Sequence, residues 1–112
     1  MSKIQSKTEL SPDILDDYFT AITATPEPTL RESFRMCSHP GFADNLRDIR
    51  APTLVVAGMH DGLLAPSYLR EQIVSRIPSA RMALLDCGHE IPLEMPAETA
   101  AIIESFVAAL GR

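Results

Sequence analysis

The sequence contains no tryptophan, only two tyrosines and only four phenylalanines. A core for this chain must therefore be built from Leu, Ile, Val, Ala and Met. Cysteine is as scarce. Cys37 and Cys87 are too few for a disulfide framework, so the chain reads as reduced and cytoplasmic. No apolar run approaches the roughly 20 residues that span a bilayer, so no membrane partner is expected. The opening MSKIQSKTEL has two lysines but no apolar stretch behind them, and does not read as a secretory leader. Basic residues are outnumbered, 10 Lys and Arg against 15 Asp and Glu, for a net charge of −5. A nucleic-acid binder carries a basic stripe, and none is present. Repeats and low-complexity runs are missing too.

What is present is an ordinary globular composition, 46% hydrophobic and 22% charged over 112 residues. Nine prolines divide the chain. Ser11-Pro12-Asp13 reads as a helix start: an N-cap hydroxyl, a proline at the first helical position and an acid at the positive helix end. Ile14, Leu15, Tyr18, Phe19 and Ile22 follow at helical spacing. After Thr25-Pro26-Glu27-Pro28 a second helix is expected to about Cys37, with Leu30, Phe34 and Cys37 on one face. Ser38-His39-Pro40-Gly41 reads as a turn, and 42–49 as one or two helical turns carrying Phe42, Leu46 and Ile49.

The second half has a different character. Thr53-Leu54-Val55-Val56-Ala57, closed by Gly58, reads as a strand buried on both faces. Pro66 opens a helix expected to reach about Ile77, with Leu69, Ile73 and Ile77 spaced by four. Met82-Ala83-Leu84-Leu85 reads as a second apolar strand. Ile91–Pro96 reads as a proline-rich turn, and Ala97–Leu110 as a final helix capped by Gly111. Its stripe of Ile102, Ile103, Phe106, Val107 and Leu110 is expected to face the core. A strand-helix-strand crossover of this length makes the two strands parallel. Two parallel apolar strands do not make a sheet that stands alone in water. Either the first helices cover them or further strands come from another chain.

Two residues carry the candidate chemistry. Asp61 follows the first strand, in Gly58-Met59-His60-Asp61-Gly62. His89 follows the second, in Asp86-Cys87-Gly88-His89-Glu90. In open α/β sheets reacting groups gather beyond the carboxyl ends of the strands. Adjacent strands lie about 4.8 Å apart, so the two loops can meet. A carboxylate on one imidazole nitrogen fixes the tautomer and leaves the other nitrogen to take a proton. Singly, each residue reads as an ordinary turn acid and loop histidine. His60 and His89 with an acid have the donor types for zinc, but the spacing fits no metal motif, and His60 reads as an exposed loop residue. No metal or other cofactor is expected. His39 reads as a turn residue, Cys87 as a small buried filler rather than a nucleophile, and Ser67 as first-turn helix chemistry.

Taken in order, the segment Pro52–Leu110 resembles the C-terminal end of the α/β-hydrolase fold. Pro-Thr-Leu-Val-Val-Ala-Gly-x-x-Asp is similar to that superfamily's penultimate strand and acid loop. Leu63-Leu64-Ala65-Pro66 resembles the segment after the acid, and Ile77-Pro78-Ser79-Ala80-Arg81 the lead into the last strand. Cys87-Gly88-His89, followed by Leu93-Glu94-Met95-Pro96, resembles its Gly-His-x-x-x-x-Glu-x-Pro stretch. The 28-residue separation of Asp61 from His89 suits the family. The resemblance implies an acid role for Asp61 and a general-base role for His89, in hydrolysis of an ester, lactone or similar carbonyl substrate. It also implies that 1–50 is a helical, cap-like segment and 51–112 the β-α-β-α end of a partial α/β-hydrolase fold.

One departure is large. The family's nucleophile sits in Gly-x-Ser-x-Gly. None of the nine serines here is bracketed in that way, and the glycines fall only at 41, 58, 62, 88 and 111. Without a nucleophile and an oxyanion hole there is no covalent acyl transfer. The length therefore reads as an incomplete domain, about half of a roughly 250-residue one. The expected partner is a complementary N-terminal hydrolase half that supplies the serine, or a second copy in a homodimer. The rival expectation is a non-catalytic remnant or interaction module that self-associates through its incomplete sheet.

Overall fold

The computed structural model describes residues 10–38 and 41–111, apart from the side chains of Ser38 and Phe42. The amino-terminal stretch 1–9 and the His39-Pro40 part of the expected turn lie outside the described residues. Internal contacts divide the chain into two units, Leu10–Asp44 and a second that runs from Asn45.

The first unit is helical. Helix α1 spans Pro12–Ala24. Ser11 is extended at φ −62°, ψ 151°, and its hydroxyl accepts the N–H of Ile14 at 3.4 Å. Pro12 and Asp13 occupy the first turn, as the local chemistry requires. The helix ends at Thr25, since a residue before proline avoids the helical region. Helix α2 spans Glu27–Ser38, with Glu27 and Arg31 paired one turn apart. No residue of α1 is buried, and Phe34 and Cys37 of α2 are exposed. Of the expected α2 face, only Leu30 is half-buried.

Residues Gly41–Asp48 form a 3-10 helix rather than α-helical turns. Gly41, Asp44 and Asn45 are weak α-helix formers, and the tighter i→i+3 winding suits a short connector. Leu46 is buried and Ile49 half-buried.

The second unit is mixed α/β. Strand β1, Thr53–Gly58, pairs in parallel with β2, Ala80–Leu85, from Thr53 opposite Ala80 to Gly58 opposite Leu85. The result is an open two-stranded sheet whose strands alternate with helices. The strands are not buried on both faces. In β1 only Ala57 and Gly58 are buried, and Leu84 of β2 is exposed. Two strands, each paired on one side, cannot shield their own faces from water.

The crossover helix α3, Pro66–Gln72, stops one turn short of the expected Ile77. A 3-10 turn at Val74–Arg76 follows, and Ile77 is extended at φ −98°, ψ 117°. Pro78 causes this, because it excludes its predecessor from the helical region. Ile77 is nonetheless buried. The expected turn at Ile91–Pro96 is instead a one-turn helix α4, Ile91–Glu94, which accepts Pro92 because its first turn needs no N–H there. Helix α5 spans Pro96–Leu110. It meets the sheet through Phe106, whose ring lies 5.4 Å from the Arg81 guanidinium carbon. An open groove lined by Leu54, Met82, Ile102 and Phe106 separates them. The expected core stripe is corrected here: Ile102 and Phe106 are half-buried, but Ile103, Val107 and Leu110 are exposed, Val107 by 59%. The sheet is too narrow to cover them.

The strand ends come closest at one point. A Cβ placed on Gly58 would stand 2.1 Å from the carbonyl oxygen of Gly88 and 2.8 Å from that of Cys87. Both obstacles are backbone, so nothing can swing aside. Gly58→Ala is expected to destabilise the chain by about 1–3 kcal/mol, measured by urea unfolding, because a methyl must be forced between two packed loops.

Candidate active site

Parallel pairing sets the site. Since β1 and β2 end opposite each other, the loops that leave them start side by side. The ladder continues one step past the strands: Met59 N–H donates to Leu85 O at 2.8 Å, and His60 N–H to Cys87 O at 2.9 Å. Cys87 N–H turns back onto Leu85 O at 2.9 Å. The fully buried Cys87 side chain anchors this turn, which excludes it as a solvent-facing nucleophile.

Asp61 and His89 meet at the centre. Asp61 Oδ2 lies 2.9 Å from His89 Nδ1. Asp61 Oδ1 accepts the N–H of Leu63 at 2.8 Å and of Leu64 at 2.9 Å, so the carboxylate also closes its own turn. The Asp61 side chain is 4% exposed and that of His89 29%. Burial is the largest single influence on the Asp61 carboxyl and pushes it up. The Leu64 N–H, the His89 ring, the Leu63 N–H and the charge of His89 together outweigh it, and hold the group below its ordinary 3.8. An ionised carboxylate only accepts hydrogen bonds, so Nδ1 carries the proton and donates it to Asp61. That leaves Nε2 as the nitrogen with acceptor capacity.

Two further arrangements were not expected from the sequence. His60 Nε2 lies 2.7 Å from Asp86 Oδ1, a second Asp–His pair that crosses the same two loops in the opposite sense. Its side chains are 46% and 63% exposed, which makes it a surface contact of small worth. Each residue sits just past a strand end, the one clue that could have joined them. Glu94 of α4 reaches back to the histidine loop: Oε1 accepts the N–H of Gly88 at 3.0 Å and Oε2 that of Glu90 at 3.1 Å. Its clue was a carboxylate five residues after His89 within a proline-flanked turn. Ser67 lies in the first turn of α3. His39 lies outside the described residues. Among the described residues no group of three or more His, Cys, Asp or Glu is placed to hold a metal ion. Nor is any described helix long and apolar enough to cross a membrane.

With the geometry in place, comparison with known proteins shows a partial likeness to an esterase. The chain is 38% identical over 63 residues to a pimeloyl-[acyl-carrier protein] methyl ester esterase of Aromatoleum aromaticum. The matched stretch is 55% of this chain and 25% of that relative's length. The chain is thus similar, over about half of itself, to part of an esterase of the α/β-hydrolase family. No family model and no solved structure matches it.

The depressed Asp61 carboxyl links the site to stability. Between the folded value and 3.8 the unfolded chain binds more protons than the folded one, so stability rises with pH in that window. The contribution is complete above pH 3.8 and disappears as pH falls through the lower folded value. Asp61→Asn is expected to cost on the order of 1–3 kcal/mol at neutral pH, through loss of charge-assisted bonds. It should also flatten the acid limb of the unfolding free energy followed by urea titration at successive pH values.

Proposed function

We propose that Asp61 and His89 are the acid and general base of a Ser-His-Asp hydrolase, acting on an ester, lactone or similar carbonyl substrate. The serine and the oxyanion hole come from polypeptide outside these 112 residues. The observation that carries this reading is the 2.9 Å contact of Asp61 Oδ2 with His89 Nδ1, made by a buried carboxylate beyond the ends of adjacent parallel strands. The partial likeness to a methyl ester esterase supports it.

In this mechanism Asp61 holds the Nδ1–H tautomer, so Nε2 accepts the serine proton as the serine oxygen bonds to the substrate carbonyl carbon. The imidazolium formed is stabilised by the Asp61 charge. As the carbon–oxygen bond to the leaving group breaks, Nε2 returns the proton to the departing alkoxide. Water then cleaves the acyl-serine by the same proton path. Asp61 is not protonated at any step, consistent with a carboxyl held below its ordinary range.

The test is an exchange of segments. The C-terminal segment of the A. aromaticum esterase that corresponds to Pro52–Leu110 is replaced by Pro52–Leu110 of this chain, and hydrolysis of a short p-nitrophenyl ester is followed. The chimaera is expected to be active and to lose on the order of 10⁴-fold in kcat/KM on His89→Ala. A chimaera that folds but shows no activity sinks the proposal.

A second reading is favoured by the exposed apolar residues Leu84, Ile103, Val107 and Leu110 together with the narrow sheet. Apolar surface and unpaired strand edges promote association. In this reading the chain is an interaction module that pairs with a second copy. Light scattering at micromolar concentration is expected to report a dimer, and a monomer there removes this reading.

A further inference from the structure

We propose that Glu94 is the positioning residue of the histidine loop, gripping the backbone on both sides of His89 so that the imidazole stays aimed at Asp61. The inference deepens the hydrolase reading and depends on it for its catalytic meaning, although its geometric content is separate.

The two oxygens of one carboxylate divide their work. Oε1 takes the N–H of Gly88 and Oε2 that of Glu90. These are the residues immediately before and after His89. A carboxylate bound by two peptide N–H groups makes charge-assisted bonds, about twice as strong as neutral ones.

A plain helix cap accounts for half of this. Glu90 is the N-cap of α4 and its own side chain makes no capping bond to the helix, and a carboxylate returning to the N-cap N–H is a known way to close a helix start. The cap does not need Gly88. That bond lies outside the helix, on the far side of His89, and its consequence is to fix the loop. The peptide between the two grips is fixed from a third direction, since the carbonyl of Gly88 rests against the Gly58 backbone. Three consecutive peptide units around His89 are thereby held by β1 and α4. The ring's hydrogen bond goes to Asp61. Glu94 therefore acts through the backbone and is not a catalytic residue.

The test reads His89 directly and needs no turnover, so it fails or succeeds independently of the esterase chimaera. The full chain is labelled with ¹⁵N, and exchange of the His89 Nδ1–H with water is measured by NMR beside the backbone amides of β1 and β2. In Glu94→Ala the Nδ1–H is expected to exchange at least about tenfold faster, the equivalent of one lost charge-assisted bond. The β1 and β2 amides keep their protection, and the acid titration of Asp61 moves up towards 3.8 as its contact with His89 loosens. Glu94→Gln keeps one acceptor oxygen and is expected to fall between the two, which covers the case in which the alanine variant unfolds. Glu98→Ala, on the first turn of α5, should match the parent. Unchanged Nδ1–H exchange in both Glu94 variants overturns the proposal. So does faster exchange spread evenly over His89 and the strand amides, which is the mark of a structural cap alone.

Discussion

The site depends on one steric constraint, the close approach of the end of β1 to the loop that follows β2. Only a residue without a Cβ can stand where Gly58 stands, against the carbonyls of Cys87 and Gly88. Because it does, the ladder runs past the strands to Met59 and His60, and the two loops leave the sheet as a bonded pair. Asp61 is then within reach of His89, 28 residues away in sequence, with no long side chain stretched between them. The order of causes runs from a missing methyl to a backbone register, and from the register to a carboxylate–imidazole contact.

Burial separates the two Asp–His pairs that cross this junction. Both have short contacts, 2.9 Å for Asp61–His89 and 2.7 Å for His60–Asp86. The shorter contact is the weaker device, because water competes at both of its exposed side chains. Asp61 sits where water is excluded and where two backbone N–H groups already commit it to the ionised form. A carboxylate fixed in charge and position can hold a histidine in one tautomer. One that turns over with solvent cannot.

Much of this was legible in the sequence where local chemistry decides. Ser11-Pro12 marked the start of α1, the two β-branched or apolar runs marked β1 and β2, and Asp61 and His89 were singled out by their places after those runs. The sequence misled where a decision belongs to a neighbour. Helix α3 gives way to a 3-10 turn after Gln72, and Pro78 then holds Ile77 extended, a break that the spacing of Leu69, Ile73 and Ile77 hides. Helix α4 forms where prolines suggest only a turn, because Pro92 falls in a first turn that tolerates it. The α5 stripe has the periodicity of a core helix, yet periodicity records which residues share a face and says nothing of what covers that face. The sequence showed Glu94 as one letter of the stretch after His89, but not what it grips, because its partners are backbone N–H groups.

Polar and apolar organisation have come apart in this chain, for a reason of range. The hydrogen bonds that shape the site join residues 58–94 through one register and two loops, and no buried polar side-chain atom among the described residues is left without a partner. Apolar burial is not local in that way, because it needs layers on both faces of a sheet. Two strands and the helices beside them leave Leu84, Ile103, Val107 and Leu110 in water. A hydrogen-bond network of this kind needs only the strand register and can form before those faces are covered. Covering those faces would add stability by burying apolar surface, but it need not rearrange the Asp61 carboxylate, which is already 4% exposed. Under the proposed hydrolase function, polypeptide that completed the sheet would meet an Asp61–His89 pair already in place.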